Sequence, residues 1–205
     1  SAYPMKGPVP MTLALDPAAQ DLLFREAHTA HTFTDEPVSE AQMRAVYDLI
    51  KLAPTAFNQS PLRVTLLRSR EARERLLPLM SRGNRDKTGS APLTALLSAD
   101  VDFHEKLPKL LPALPDLKDG MYAEEAVRER SGSFNATLQA GYFLLGVRAA
   151  GLAAGPMSGF DAEGVNKEFF GDGRQKVLLV VNIGRPGPDA FRPRNPRLEY
   201  AEAVT

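Results

Sequence analysis

Ala149-Ala150-Gly151-Leu152-Ala153-Ala154-Gly155-Pro156-Met157-Ser158-Gly159-Phe160 decides how this chain is read. Upstream, Phe134, Leu138, Gly141, Leu144, Leu145 and Val147 give an apolar and small pattern at helical spacing over residues 133–150, and Gly151 ends that helix. Gly155, Pro156, Ser158 and Gly159 then read as one tight loop with backbone N–H groups clear of side-chain bulk. Glycine lets main chain approach a ligand closely and proline restricts the turn, so a flat ligand against this loop is the first expectation. Taken alone, the same residues make a plain helix-ending turn.

Outward from this stretch, Asp161 caps a short helix ending near Phe170, and residues 176–183 (KVLLVVNI) read as a central strand buried on both faces. Toward the N-terminus, Asp16-Pro17 opens a helix to about Ala27, and Ser39-Glu40-Ala41-Gln42 is a capping box ahead of a second helix stopped by Pro54. Residues 63–68 (RVTLLR) read as a strand, 70–80 as a charged helix, 81–90 as a polar loop and 93–99 as a second strand. Residues 103–120 hold Pro108, Pro112 and Pro115, which break any single helix and suggest a lid or a surface excursion. The coarse class is α+β, a long central helix on a small sheet.

At 205 residues the chain suffices for a single domain, expected over 11–205 with a proline- and arginine-rich arm at 185–205. Residues 1–10 (SAYPMKGPVP) read as a cloning scar or loose arm ahead of Met11. Formal net charge is zero, which argues against recruitment by nucleic acid or an anionic membrane. Cysteine is absent, excluding disulfides and thiolate chemistry and fitting a cytoplasmic location. Gln139 and Arg148 interrupt the longest apolar stretch, so no membrane span is expected.

His28, His31 and His104 do not follow metal-ligand spacing, and no metal site is expected. Nucleophile elbow, dinucleotide fingerprint and phosphate-binding loop motifs are all missing. What remains is polar residues at element ends: Thr29 and His31; Thr55, Asn58 and Ser60; Asn84 and Lys87; the GPMSGF loop; Arg194 and Arg197.

The order of these segments resembles the nitroreductase family: P-T-x-x-N-x-x-P at 54–61, G-N-x-x-K-T at 83–88, G-P-M-S-G-F at 155–160 and R-x-x-R-L at 194–198. Within it, the motifs are similar to the malonic semialdehyde reductase (3-hydroxypropionate dehydrogenase) branch. The resemblance implies a three-layer α/β/α fold with a small mixed sheet, an intertwined homodimer with FMN at the interface, and NADH or NADPH as electron donor. It also implies ping-pong reduction of a small substrate: an aldehyde such as malonic semialdehyde, a nitroaromatic or a quinone.

By resemblance, Lys87 and Ser158 are the catalytic residues. Lys87 would balance the negative charge that the reduced ring gathers at N1 and O2. Asn84 would bond the pyrimidine edge, with Pro156, Met157, Ser158 and Gly159 lying over the ring and a backbone N–H aimed at N5 or O4. Pro54, Thr55, Asn58 and Ser60 match the segment that reaches the flavin of the second subunit. At the phosphate, the family's arginine-rich run is replaced here by Ala27-His28-Thr29-Ala30-His31, leaving Arg194 and Arg197 most of the charge. Histidine titrates near pH ~6.5, so FMN binding is expected to weaken as pH rises past neutrality. The altered clamp also keeps open a flavin-binding protein without turnover, in storage or sensing.

Overall fold

The structure is a computed structural model that describes residues 12–205, so the expected arm at 1–10 lies outside the described residues. Its strands are β1 (Leu62–Leu67), β2 (Leu93–Asp100), β3 (Ala153–Met157) and β4 (Gln175–Gly184). Its helices are α1 (Pro17–Gln20), α2 (Glu40–Ile50), α3 (Arg70–Leu76), α4 (Arg82–Ser90), α5 (Leu107–Leu110), α6 (Glu125–Ala149), α7 (Ala162–Phe169) and α8 (Tyr200–Ala203). The strands form one sheet in the order β1-β2-β4-β3, with the apolar run of β4 in the interior as its sequence demands.

Every pairing in the sheet is antiparallel, which corrects the expected mixed sheet. Each hydrogen-bonded neighbour runs against the next, so the described chain contains no parallel pair to mix it. Side-chain alternation splits the core in two. Val181, Ile183, Ala95 and Leu97 face α2 and α6 with Val46 and Phe143. Val180, Leu96 and Met157 face α3 and α7 with Leu76 and Val165. The result is the expected α/β/α layering.

Helix starts follow their caps. Asp16 Oδ1 accepts from Ala19 N at 2.8 Å, and α1 continues as a π turn over Asp21–Arg25. Ser39 and Gln42 close both bonds of the capping box, at 3.1 and 2.9 Å. Asp161 accepts from Gly164 N at 3.0 Å to start α7. Gly151, at φ +75°, ends α6 in the left-handed region that glycine enters without cost.

Three segments depart from expectation. The stretch expected to be a loop over Gly155–Gly159 is mostly strand: Gly155 and Pro156 sit in β3 opposite Asn182 and Val181, leaving only Ser158 and Gly159 as the turn. Proline is tolerated there because β3 is an edge strand. Residues 82–90, expected to be a polar loop, form α4. Its glycines, Asn84, Thr88 and Ser90 are poor helix formers, and tertiary bonds hold it instead. Ser81 N donates to Gly159 O at 2.9 Å and Arg85 Nε to Met80 O at 3.0 Å.

Helix α6 starts eight residues before the expected 133. Gly132 lets it pass the Phe103 ring, which lies 3.4 Å from where a Cβ would stand. Its buried face is Asn135, Ala136, Gln139, Ala140, Phe143 and Val147, whereas Phe134 (68%) and Leu138 (45%) are exposed rather than in this chain's core. No helix of the described residues is long and apolar enough to cross a membrane.

Candidate functional site

Edge strand β3 is the floor of the site. Ala30 N donates to Ala154 O at 3.1 Å, laying residues 28–31 against β3, and a Cβ at Gly155 would stand 2.9 Å from the Ala30 carbonyl. The tail returns over this segment. His31 N donates to Ala190 O at 2.9 Å, and Gly187 N to Thr32 O at 3.0 Å. Arg194 reaches back with Nη2 to the carbonyls of Arg25 (2.9 Å) and Ala27 (2.8 Å), beside His28. The His28 ring stacks on Phe191 with centroids 5.2 Å apart.

Lys87 and Asn84 share a face of α4, three residues apart. Asn84 Nδ2 donates to Gly159 O and to Ser81 Oγ, each at 3.0 Å, which leaves its amide oxygen as an acceptor. A Cβ at Gly159 would stand 2.8 Å from Ser81 Oγ, so only glycine lets the turn lie this close to α4. The N–H groups of Ser158 and Gly159 donate to no group among the described residues. Met157 points inward instead, buried, with its sulfur accepting from Thr88 Oγ1 at 3.5 Å.

The electrostatics at this end are one-sided. Burial and then the Arg192 charge lower the Lys87 ammonium below the ordinary lysine range. Burial, Arg192 and Lys87 lower His31, and burial followed by Arg194 lowers His28. Among the described residues, none of Lys87, Arg192, Arg194 or Arg148 forms an ion pair with a carboxylate. Both shifts favour the neutral imidazole. The direction moves any histidine contribution to anion binding toward lower pH, and with it the expected fall of FMN binding as pH rises.

Arg197 Nη1 bonds the carbonyls of Asn195 and Pro196 in its own tail, at 2.9 and 3.4 Å. Thr29 is exposed. Arg192 and Arg148 belong to this set of cations, and the sequence reading missed them, since nothing local distinguishes one tail arginine from the next.

Pro54, Thr55, Asn58 and Ser60 lie elsewhere. Ala56 N donates to Asn135 Oδ1 of α6 at 2.8 Å, whereas Arg148 near the other end of α6 donates to Leu23 O at 3.1 Å. Thirteen residues at 1.5 Å each put these anchors ~20 Å apart. Within one chain the predicted residues thus form two groups. The second is a tight, strained turn, with Phe57, Asn58 and Ser60 at φ 53°, 53° and 45°. Ser60 N donates to Thr55 Oγ1 at 3.1 Å, Asn58 Nδ2 to Leu110 O at 2.9 Å, and buried Gln59 to Ser131 Oγ at 3.0 Å and Tyr122 Oη at 3.2 Å. A cleft of about 450 Å³ opens here among Ser60, Lys106, Lys109 and Leu110.

The protein-family model described as "Nitroreductase family" matches residues 24–185. The chain belongs to the nitroreductase family. A Streptomyces coelicolor relative with the provisional name NADH dehydrogenase/NAD(P)H nitroreductase is 65% identical over 195 residues, covering 95% of this chain and 99% of the relative. Among solved nitroreductase structures, one from Bacillus subtilis superposes with TM-score 0.82 at 24% identity, covering 92% of this chain and 98% of its own. Another, from Exiguobacterium sibiricum and described as in complex with FMN, gives TM-score 0.79 at 19% identity, covering 94% and 97%. At such identities the likeness shows the nitroreductase fold.

Proposed function

We propose that this nitroreductase-family chain is an FMN-dependent NAD(P)H oxidoreductase, active as a homodimer whose flavin lies between subunits. The observation that carries the reading is a row of cations with no carboxylate partner among the described residues: Lys87, three residues from the Asn84 that bonds the Ser158–Gly159 turn with its bare N–H groups, then Arg192 near Lys87 and Arg194 beside His28. A phosphate-bearing ring with an electron-rich edge fits that donor set. The names of the relatives, which pair NAD(P)H with nitroreductase, and the FMN in a structural neighbour support it.

When bound, FMN supplies a two-electron carrier that takes hydride from NAD(P)H and passes it to an acceptor. The chain's own residues bind and bias it. Lys87 presents positive charge in a partly desolvated setting, where it counts for more than in water. Asn84 offers its free amide oxygen to a ring N–H, and Arg194 and Arg192 hold the phosphate. One open face serves donor and acceptor in turn, which gives ping-pong kinetics. The exposed Phe134, Leu138 and Tyr142, at four-residue spacing on α6, support a subunit interface that brings the Thr55–Ser60 turn of one copy to the cation end of the other. A cytoplasmic setting, where NAD(P)H is at hand, belongs to the same reading, as do malonic semialdehyde and similar small aldehydes as acceptors.

The test is the purified protein itself: bound yellow chromophore, anaerobic bleaching by NADH and NADPH in turn, and reoxidation by an aldehyde, a quinone and a nitroaromatic. Bleaching followed by acceptor-dependent recovery is expected. Bound flavin that neither donor bleaches would instead mark a storage or sensing protein. Lys87→Ala should slow bleaching and lower the flavin midpoint potential; an unchanged potential removes Lys87 from the chemistry.

A further inference from the structure

Strand β4 carries one polar side chain in an otherwise apolar interior stretch, and the chemistry above does not use it. Asn182 is fully buried. It faces the α3–α7 layer, opposite Gly155 on β3 and Thr94 on β2. Its Oδ1 accepts from Thr94 Oγ1 at 2.9 Å; its Nδ2 donates to Thr88 Oγ1 at 3.3 Å and lies 3.7 Å from the Met157 sulfur. Thr94 and Thr88 are also fully buried. Three strands and one helix therefore share one closed polar cluster. A buried amide in a well-packed sheet costs stability unless every bond is made, and here its oxygen and nitrogen are both engaged.

What the cluster holds is α4. Of the nine residues of α4 only Thr88 is buried, so the helix lacks an apolar stripe to dock it. Its N-terminal half is tied to the Ser158–Gly159 turn through Asn84, and its C-terminal half depends on Thr88. Lys87 precedes Thr88. We infer that Asn182 is a positioning residue: through Thr88 it fixes the rotation of α4 and thereby the place of Lys87 relative to the Ser158–Gly159 turn. A hydrophobic anchor would tolerate sliding and rolling of the helix, whereas a hydroxyl gripped by an amide and a thioether does not. The inference deepens the flavin reading, but its geometric core concerns the protein alone.

The experiment uses the full-length protein with Thr88→Val, Thr88→Ser and Asn182→Leu, Thr88→Val being the near-isosteric change least disturbing to the fold. The first measurement is the Lys87 titration in flavin-free protein, followed by NMR of isotope-labelled lysine. Thr88→Val and Asn182→Leu should each return the Lys87 titration toward the ordinary lysine range, and Thr88→Ser, which keeps the hydroxyl, should retain the wild-type titration. The second measurement is flavin reduction in loaded protein. A misplaced cation should slow it about 10-fold in Thr88→Val, with no further loss when Lys87→Ala is added. A Thr88→Val protein that melts earlier but keeps the wild-type Lys87 titration overturns the inference. Should the wild type take up no FMN, the oxidoreductase reading fails while the lysine titration still decides the role of Asn182.

Discussion

The two ends of α6 solve opposite problems. Around Arg148 the chain gathers cations, and none of them meets a carboxylate among the described residues. Around Asn135 it bends the backbone into left-handed conformations and then satisfies its polar groups, with Gln59, Asn135 and Asn58 each bonded across to another element. The first end is complete in shape and incomplete in charge; the second is complete in bonding and carries strain. Strain of this kind persists only where the surroundings over-determine it and clusters at functional sites. The contrast suggests a site assembled from two copies, with the prebuilt turn of one meeting the unbalanced charge of the other.

The sharpest way to break that picture is the α6 surface. Phe134→Asp combined with Leu138→Asp should convert the protein to a monomer in light scattering and abolish flavin retention together. A monomer that keeps its flavin would show that the two ends do not need to meet. Next in size, Arg194→Ala should weaken FMN binding by about 10- to 100-fold, the worth of a charge-assisted hydrogen bond, read by fluorescence titration; an unchanged Kd would take the arginine out of the site. Gln59→Leu tests the strained end. It removes the bonds to Ser131 and Tyr122 and should cost about 1–3 kcal/mol in urea unfolding. Unaltered stability would mean the turn holds itself.

The smallest effect concerns pH. His28 and His31 have folded values below their unfolded ones, so their contribution to stability is present above about pH 6.5 and is lost as pH falls through the lowered folded values. The melting temperature of flavin-free protein should sag on going from neutral to mildly acidic buffer, and Phe191→Ala, which unstacks His28, should reduce the sag. A melting temperature flat across that range would contradict the neutral imidazoles.

Elements with local signals could be read in advance. The Ser39–Gln42 box, Asp16-Pro17, Asp161 and the β4 run each carry their own punctuation, and Gly151 ended its helix as read. The misreadings share a cause, which is tertiary context overriding local propensity. Helix α4 is built from residues that prefer loops, and bonds to Gly159 and Asn182 hold it. Strand β3 hides behind Gly155-Pro156 because an edge position forgives proline. Ser131-Gly132-Ser133 looks like a break but is a passage for the Phe103 ring. At the candidate site, the segment around Asn84 and the turn at Gly159 could be paired from motif order. Arg192 and Asn182 could not, since a tail arginine and one amide in an apolar strand acquire meaning only from what folds against them.

Arg128 closes the neck of the proline-bearing excursion: its Nε holds Val101 O at 3.0 Å and its Nη1 holds Tyr122 O and Ala123 O at 3.0 and 2.8 Å. Beyond that clasp the excursion is still laced to the body, through Asn58 to the Leu110 carbonyl and through Arg174 to Glu105, so a change made in it is transmitted to the left-handed turn and to the start of β4 instead of staying local.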